Sequence, residues 1–406
     1  MTAELPLTRV EPGEELDYAR AVSRHFYEDL ADEELERWLP AFGDREQHRA
    51  WVVRDGKQIV ANLGVHTMTV SVPGGPPISC AGITAVGVAQ THRRRGLLRR
   101  MMVTALDEAT ERGEPVAMLF ASESAIYGRF GFGVTAPGVG HRIDRGVAFR
   151  DPVDRSLVEP ATPEEALATW PAILADLRRQ RPGCVDRSEA IWRLAVVDDP
   201  PSHRDGASAR RLVHVPGRGY ARYRIKEHYD QALPQGEVRV GELVATDAEA
   251  EAALWQHVCD IDLTTTVEAW FRPPDDALTE LLIDPLRART RVGPPLYARL
   301  LDVPAALTAR TYASTDTLSL TIHDASRDQG GTYRLAATPD GAEVDETTGE
   351  PDLSMPIDVA ASVWLGGVRA THLLAARRLT EHRPGAAARL DRLVSVDRLP
   401  WSPFEF

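Results

Sequence analysis

Gly82-Ile83-Thr84-Ala85-Val86-Gly87-Val88-Ala89 runs into Thr91-His92-Arg93-Arg94-Arg95-Gly96-Leu97-Leu98-Arg99-Arg100. Further on, Val116-Ala117-Met118-Leu119-Phe120-Ala121 leads into Ser122-Glu123-Ser124-Ala125-Ile126-Tyr127-Gly128-Arg129-Phe130-Gly131-Phe132. The two apolar runs read as strands. Between them, Leu97, Leu98, Met101, Met102, Ala105, Leu106 and Ala109 share one helical stripe, with Asp107, Glu108, Glu111 and Arg112 outside it and Gly113 as the C-terminal stop. The stretch is therefore strand, cationic turn, helix, strand, with a tyrosine just past the second strand. Amide groups at a helix N-terminus, with guanidinium groups beside them, favour phosphate. A solvated basic face is the duller alternative, but Gly96 inside the turn and a buried element on either side favour a site. Neither Gly-Lys-Ser/Thr nor the dinucleotide glycine triplet is present, so this is no P-loop and no Rossmann fingerprint.

Working outward, residues 14–30 and 32–39 read as acidic helices in which Phe26, Leu30, Leu35 and Trp38 are prominent. Residues 51–54 and 59–70, around the turn Asp55-Gly56, read as an antiparallel hairpin. Pro73 to Pro77 is a hard break. The polar residues 137–163 read as a linker. Thr162-Pro163-Glu164-Glu165 opens a helix over 163–180 with a capping box, and 188–197 reads as another. Strand patterns follow at 211–215, 220–225 and 237–245, then a second capping box at Thr246-Asp247-Ala248-Glu249 and a helix ending near Cys259. This order echoes the first region, except that Val244-Ala245 runs straight into its helix with no arginine turn. After Gly293-Pro294-Pro295, strands at 296–301, 318–323 and 331–335 and helices at 356–365, 370–379 and 386–393 read as a third, α+β domain. The apolar ending Leu399 to Phe406 is expected to dock, since a free terminus of that composition would otherwise fray in water.

Composition narrows the function classes. The 406 residues are 43% hydrophobic and 26% charged, ordinary globular values. A formal net charge of −13 argues against nucleic-acid binding. No run is long and apolar enough for a membrane span, and the N-terminus lacks a signal-peptide layout, so no membrane partner and a cytoplasmic location are expected. Cys80, Cys184 and Cys259 are scattered without metal-ligand spacing, so neither disulfide nor metal is expected. Lysine occurs only at Lys57 and Lys226; GC-rich coding accounts for that.

Arg93-Arg94-Arg95-Gly96 resembles the acyl-CoA-binding turn of the GCN5-related N-acetyltransferases (GNAT), with Leu98 standing where that pattern usually has a small residue. The same departure occurs in the enhanced-intracellular-survival (Eis) family. Residues 91–99, Ala121-Ser122-Glu123, 126–131, Val303-Pro304-Ala305-Ala306-Leu307 and Phe404-Glu405-Phe406 all resemble that family's motifs. The resemblance covers the whole chain. It implies an α+β and α/β architecture of two tandem GNAT-type domains, 1–145 and 146–293, the second without the CoA turn, and a sterol-carrier-protein-like domain, 294–406. It implies acetyl transfer from acetyl-CoA to amines, aminoglycosides included, and a homo-hexamer.

Residue by residue, the resemblance implies that Val86, Gly87 and Val88 bind the cofactor's pantetheine arm and that Arg94, Arg95, Gly96, Leu97, Leu98 and Arg99 hold its pyrophosphate. Ser122 and Glu123 would complete the wall, Tyr127 would be the general acid and the carboxylate of Phe406 the general base. Glu28, Trp38 and Glu405 would recognise the amine, as carboxylates beside an aromatic wall suit a polycation. A phenol can donate to a departing thiolate. An α-carboxyl is a weak base unless burial among Trp401, Phe404 and Phe406 raises it or placement compensates. A thioester oxygen would need a backbone N–H, expected from Val88. Plain packing for Tyr127 and Trp38, a solvated face for Glu28 and a structural clamp for the tail stay open, as do protein lysine acetylation and a non-catalytic acyl-CoA or lipid-binding role.

Overall fold

The computed structural model describes residues 4–42, 46, 48–327 and 329–406. Within them the chain forms two compact units. Unit 1 takes the N-terminal part through Thr135, then Tyr297–Ser395 and Phe406; unit 2 takes Ala136–Leu296 and Val396–Glu405.

In unit 1, strands β1 (Leu7–Arg9), β2 (His48–Asp55), β3 (Gln58–Val70), β4 (Ile78–Val88) and β5 (Val116–Phe120) lie side by side in that order, with the end of the strand Arg291–Leu300 next to β5. β2 and β3 form the expected hairpin, but Asp55 pairs with Gln58, so the loop is Gly56-Lys57 rather than Asp55-Gly56. Gly56 takes the positive φ (+58°) that a two-residue connection requires. Helices α1 (Glu15–His25), α2 (Asp32–Leu35), α3 (Leu39–Phe42) and α4 (Leu97–Glu111) complete this part. Helix α4 buries Leu97, Met101, Met102, Ala105, Leu106 and Ala109 against Val60, Val65, Ile83 and Leu119. Each such Leu or Met contributes about 1.5–3 kcal/mol relative to exposure. The stripe read from the sequence is this face, with Leu98 half-buried at its margin.

The reading of a helix over 14–30 is corrected. Helix α1 stops at His25 because Tyr27 turns left-handed (φ +61°), while Ser23 Oγ donates to the Glu28 carbonyl at 2.6 Å and Glu28 N–H returns to the Ser23 carbonyl at 2.9 Å. Phe26 is consequently 42% exposed and no part of the core.

The C-terminal part of unit 1 is a five-stranded sheet ordered Gly341–Glu346, Gln329–Thr338, Asp316–Asp324, Leu353–Pro356, Thr380–Glu381, with helices Val303–Thr308, Ile357–Trp364, Ala370–Ala375 and Ala386–Val394. The strands Gly341–Glu346 and Leu353–Pro356 went unread in the sequence: the first is polar and largely exposed, the second only four residues long.

In unit 2 the strand order is Gly133–Asp144 (from Ala136 onward), Thr264–Arg272, Gly236–Ala245, Gly219–Lys226, Arg211–Val215, Glu159–Pro160. Three expectations fail here. Residues 137–144 are not linker but strand, pairing Val139 to Asp144 with Arg272 to Thr266 and burying His141 and Ile143 in alternation. Pro294 and Pro295 lie inside the strand Arg291–Leu300 rather than breaking the chain. The helix Ala248–Cys259 is capped by Asp247, whose side chain accepts from Ala250 N–H, while Thr246 Oγ1 donates to the Arg218 carbonyl. The helices Pro163–Gln180 and Glu189–Val196 match the sequence, including the Thr162–Glu165 capping box.

Gly236–Ala245 and Thr264–Arg272 are parallel, joined by the helix Ala248–Cys259, and their ladder runs only as far as Val240 and Ala269. Beyond that point Arg272 Nη1 donates to the Leu243 carbonyl and the Trp401 indole N–H donates to the Phe271 carbonyl at 2.8 Å. The guanidinium groups of Arg181 and Arg272 lie over the Trp401 ring, 5.7 and 5.2 Å from its centroid. Phe404 and Trp192 flank Arg187 at 4.8 and 4.6 Å, and Arg187 is held by the fully buried Glu242 carboxylate. The tail docks, as expected of it.

Candidate functional site

β4 and β5 are parallel, but their ladder sets only Cys80–Gly82 against Val116–Met118 and goes no further among the described residues. Past Gly82 the strands part, and the β5-facing edge of β4 is left open. On its other edge, β4 carries a bulge. Asn62 faces Gly87 and Gly64 faces Thr84, so Ala85 and Val86 together oppose Leu63. Ala85 sits at φ +49°. Ala89 N–H donates to the Val60 carbonyl at 2.8 Å, so strand alternation turns the Val88 amide to the opposite, open edge.

At the end of β4, Gln90–His92 makes a 3₁₀ turn and Arg94 (φ +62°) and Gly96 (φ +78°) reverse the chain into α4. Gly96 is the N-cap and no side chain caps the helix; the first return bond is Arg100 N–H to the Gly96 carbonyl, 3.1 Å. The amide groups of the first turn are therefore open to an acceptor. Arg95 is tied to the Thr91 carbonyl and Arg100 to Leu5 and Glu4. Arg93, Arg94 and Arg99 are exposed and make no ion pair among the described residues. Free guanidinium groups around an uncapped helix start fit a diphosphate.

β5 ends at Phe120, and Ser122 and Glu123 follow as exposed residues of the turn into a 3₁₀ segment, Tyr127–Phe130. Tyr127 is 8% exposed and lies edge-on to Phe132 at 6.2 Å. Burial, reinforced by the nearby Glu123 carboxylate, pushes its phenol up to about 12. Gly131 closes the segment at φ +80°, and a Cβ there would stand 1.7 Å from Arg299 Nη1. Arg299 is itself buried and paired with Asp324.

Phe406 comes to the mouth of the strand opening. Its ring is edge-on to Phe120 at 5.5 Å, and a Cβ on Gly82 would lie 3.2 Å from its Cδ2. Phe120 and Gly82 were not singled out from the sequence, as nothing in their spacing separates them from ordinary strand residues. Trp401 and Phe404, expected to sheathe the terminal carboxylate, are instead stacked on arginines in unit 2.

Glu28 is exposed and lines a concavity of about 450 Å³ with Arg20, Arg24, Tyr27, Asp29 and Leu35. Trp38 is half-buried and packs edge-on against Phe42 at 6.1 Å. Glu405, in unit 2, retains solvent access, and partial loss of hydration lifts its carboxyl above its ordinary value. Among the described residues no helix is long and apolar enough to cross a membrane.

Comparison with known proteins agrees with this anatomy. Residues 8–135 and 183–300 each match an acetyltransferase (GNAT) domain, and residues 303–403 match a sterol carrier protein domain. An uncharacterized N-acetyltransferase of Streptomyces avermitilis is 38% identical over 385 residues, 93% of each chain. The N-acetyltransferase Eis of Mycobacterium tuberculosis is 34% identical over 369 residues, 88% of this chain and 89% of that one. The crystal structure of Eis1 from Mycobacterium abscessus superposes over the whole of both chains with a TM-score of 0.81 at 29% identity. Two tandem GNAT domains, a sterol-carrier-like domain and relatives of this closeness establish that the chain belongs to the Eis-like family of GNAT N-acetyltransferases.

Proposed function

We propose that the protein transfers acetyl from acetyl-CoA to primary amines of polycationic small molecules such as aminoglycosides. The observation that carries this reading is the opening between β4 and β5, with an uncapped, arginine-ringed helix start following β4 and the Phe406 ring against Phe120 and Gly82. Val86, Gly87 and Val88 would hold the pantetheine arm along the open edge of β4. Arg94, Arg95, Gly96, Leu97, Leu98 and Arg99 would hold the diphosphate, and Ser122 and Glu123 would close the wall. The cofactor supplies an acyl group activated as a thioester.

The chain's own residues have four tasks in this reading. Glu28, Trp38 and Glu405 draw in a cationic amine. The α-carboxylate of Phe406 takes a proton from that amine, its low intrinsic basicity offset by placement. The Val88 N–H polarises the acyl oxygen. Tyr127 returns a proton to the departing sulfur. Region 1–145 would be the catalytic domain, 146–293 a copy without the CoA turn, and 294–406 the domain that brings the terminal carboxylate. A cytoplasmic homo-hexamer, acting on neither nucleic acid nor membrane, completes the reading.

The test is release of free thiol from acetyl-CoA with a panel of aminoglycosides and polyamines. Protein that binds CoA yet turns over no amine would sink the small-amine reading; acetyl-lysine on a peptide library would redirect it to protein substrates. Deleting Phe406 is expected to abolish turnover while CoA affinity holds, whereas a fall in CoA affinity would mark the tail as structural.

A further inference from the structure

A fully buried asparagine in the middle of an apolar strand needs an account. Asn62 of β3 lies between Ala61 and Leu63 with no accessible surface. Its amide reaches the Ala85 carbonyl of the β4 bulge at 2.5 Å, and its other end lies 2.5 Å from His25 Nδ1 on α1. A carbonyl oxygen can only accept, so Nδ2 faces Ala85 and Oδ1 faces His25. Oδ1 also only accepts, so His25 carries its proton on Nδ1, and burial disfavours the doubly protonated ring. Gly87 leaves room for the pair: a Cβ there would stand 2.7 Å from His25 Cβ and 3.3 Å from Asn62 Nδ2. Three elements, α1, β3 and β4, thus interlock at one peptide group.

That peptide group matters because of what lies behind it. In a trans peptide the carbonyl and the following N–H point in opposite directions. Holding the Ala85 carbonyl against the Asn62 side chain turns the Val86 N–H away from Asn62. Ala85 has a left-handed φ, which a non-glycine residue keeps only where its surroundings enforce it.

We infer that Asn62, oriented by His25, is a positioning residue that aims the Val86 N–H into the opening, where it joins that of Val88 as a donor to the carbonyl oxygen of a bound acyl thioester. The inference rests on the acetyl-transfer reading above. Without the lock, the Ala85 peptide can turn over and present its carbonyl to the opening, where it would repel an incoming carbonyl oxygen.

The test uses the full chain, acetyl-CoA labelled with ¹³C at the acyl carbonyl, and isotope-edited infrared spectra taken without amine, alongside steady-state kinetics. The parent protein should shift the thioester stretch to lower frequency. Asn62→Leu keeps nearly the same shape but offers Ala85 no donor; it should lose that shift and about 10²-fold in kcat, the scale of one such donor, with both KM values held within threefold. His25→Ala frees the amide without removing it and should give a partial loss of both. Should one variant fail to fold, the other decides. A folded variant with an unaltered stretch and kcat within twofold of the parent overturns the inference. Parent protein that binds CoA with an undisplaced stretch and no turnover overturns the acetyl-transfer reading itself, and this inference with it.

Discussion

The phenol of Tyr127 is raised from an ordinary value of 10 to about 12, chiefly by burial and further by Glu123. Two units correspond to about 2.7 kcal/mol in favour of the protonated form. Tyr127 is then fully protonated across pH 6–10 and available as a donor throughout. It is also a reluctant donor. Against a thiol of reference pKa about 8.5, proton transfer from the resting phenol is uphill by roughly 3.5 units, about 4.8 kcal/mol. General acids contribute about 10²–10⁴ in rate, and this mismatch places Tyr127→Phe at the low end, near a 10²-fold fall in kcat. The assay is thiol release at saturating acetyl-CoA and amine from pH 6 to pH 10, with the acetyl-CoA KM expected to stay within threefold. Two results would refute the reasoning. One is a Tyr127→Phe variant within threefold of the parent kcat. The other is a fall in parent activity near pH 10 that the variant lacks, since the phenol would then titrate at its ordinary value.

Arg94→Ala and Arg99→Ala should each raise the acetyl-CoA KM about tenfold or more with kcat preserved, as charge-assisted hydrogen bonds are worth about 1.5–3 kcal/mol; equal KM values would place the diphosphate elsewhere. Asp324→Ala leaves the Arg299 guanidinium, 1% exposed, buried without its carboxylate. It should cost about 3–5 kcal/mol in chemical denaturation and lower kcat as well, because Arg299 sits under Gly131 at the end of the Tyr127 turn. Acid should destabilise the protein through His66, whose pKa burial lowers to about 4 and whose Nδ1 faces that of His48 at 3.2 Å. The folded-state pKa lies below the unfolded value of about 6.5. The contribution is therefore whole above that pH and is lost as pH falls toward 4, by about 3.4 kcal/mol in the limit. His66→Phe should flatten denaturation midpoints between pH 7 and pH 4.5, and an unchanged slope would count against the argument.

How far the sequence could be read depended on whether a residue's role was local. The arginine turn and the α4 stripe were legible because a helix start and a 3.6-residue period are written in neighbouring positions. The capping box at Thr162 was legible for the same reason. The strand over 137–144 was not, since Pro137, Gly138 and Gly140 imitate a loop and only pairing with Thr266–Arg272 makes it a strand. Tyr27 ended α1 through a left-handed backbone that no helical period announces. Of the candidate site, Tyr127 and the arginines were marked by motif. Phe120, Gly82, His25 and Asn62 act through partners far along the chain, and of these only Asn62, polar in an apolar run, carried any signal.

The filled strand opening of unit 2 changes how the duplication can be understood. The first copy leaves the gap between its parting strands open, where the proposed cofactor would come and go. The second has closed the matching gap with its own arginine and with a tryptophan from the end of the same polypeptide, a guest that cannot diffuse away. A segment tethered to its own docking place is held at a high effective concentration and need not rely on the features that win a free ligand from solution. The missing arginine turn of the second copy is then no defect, only a recognition device for which nothing remained to be recognised.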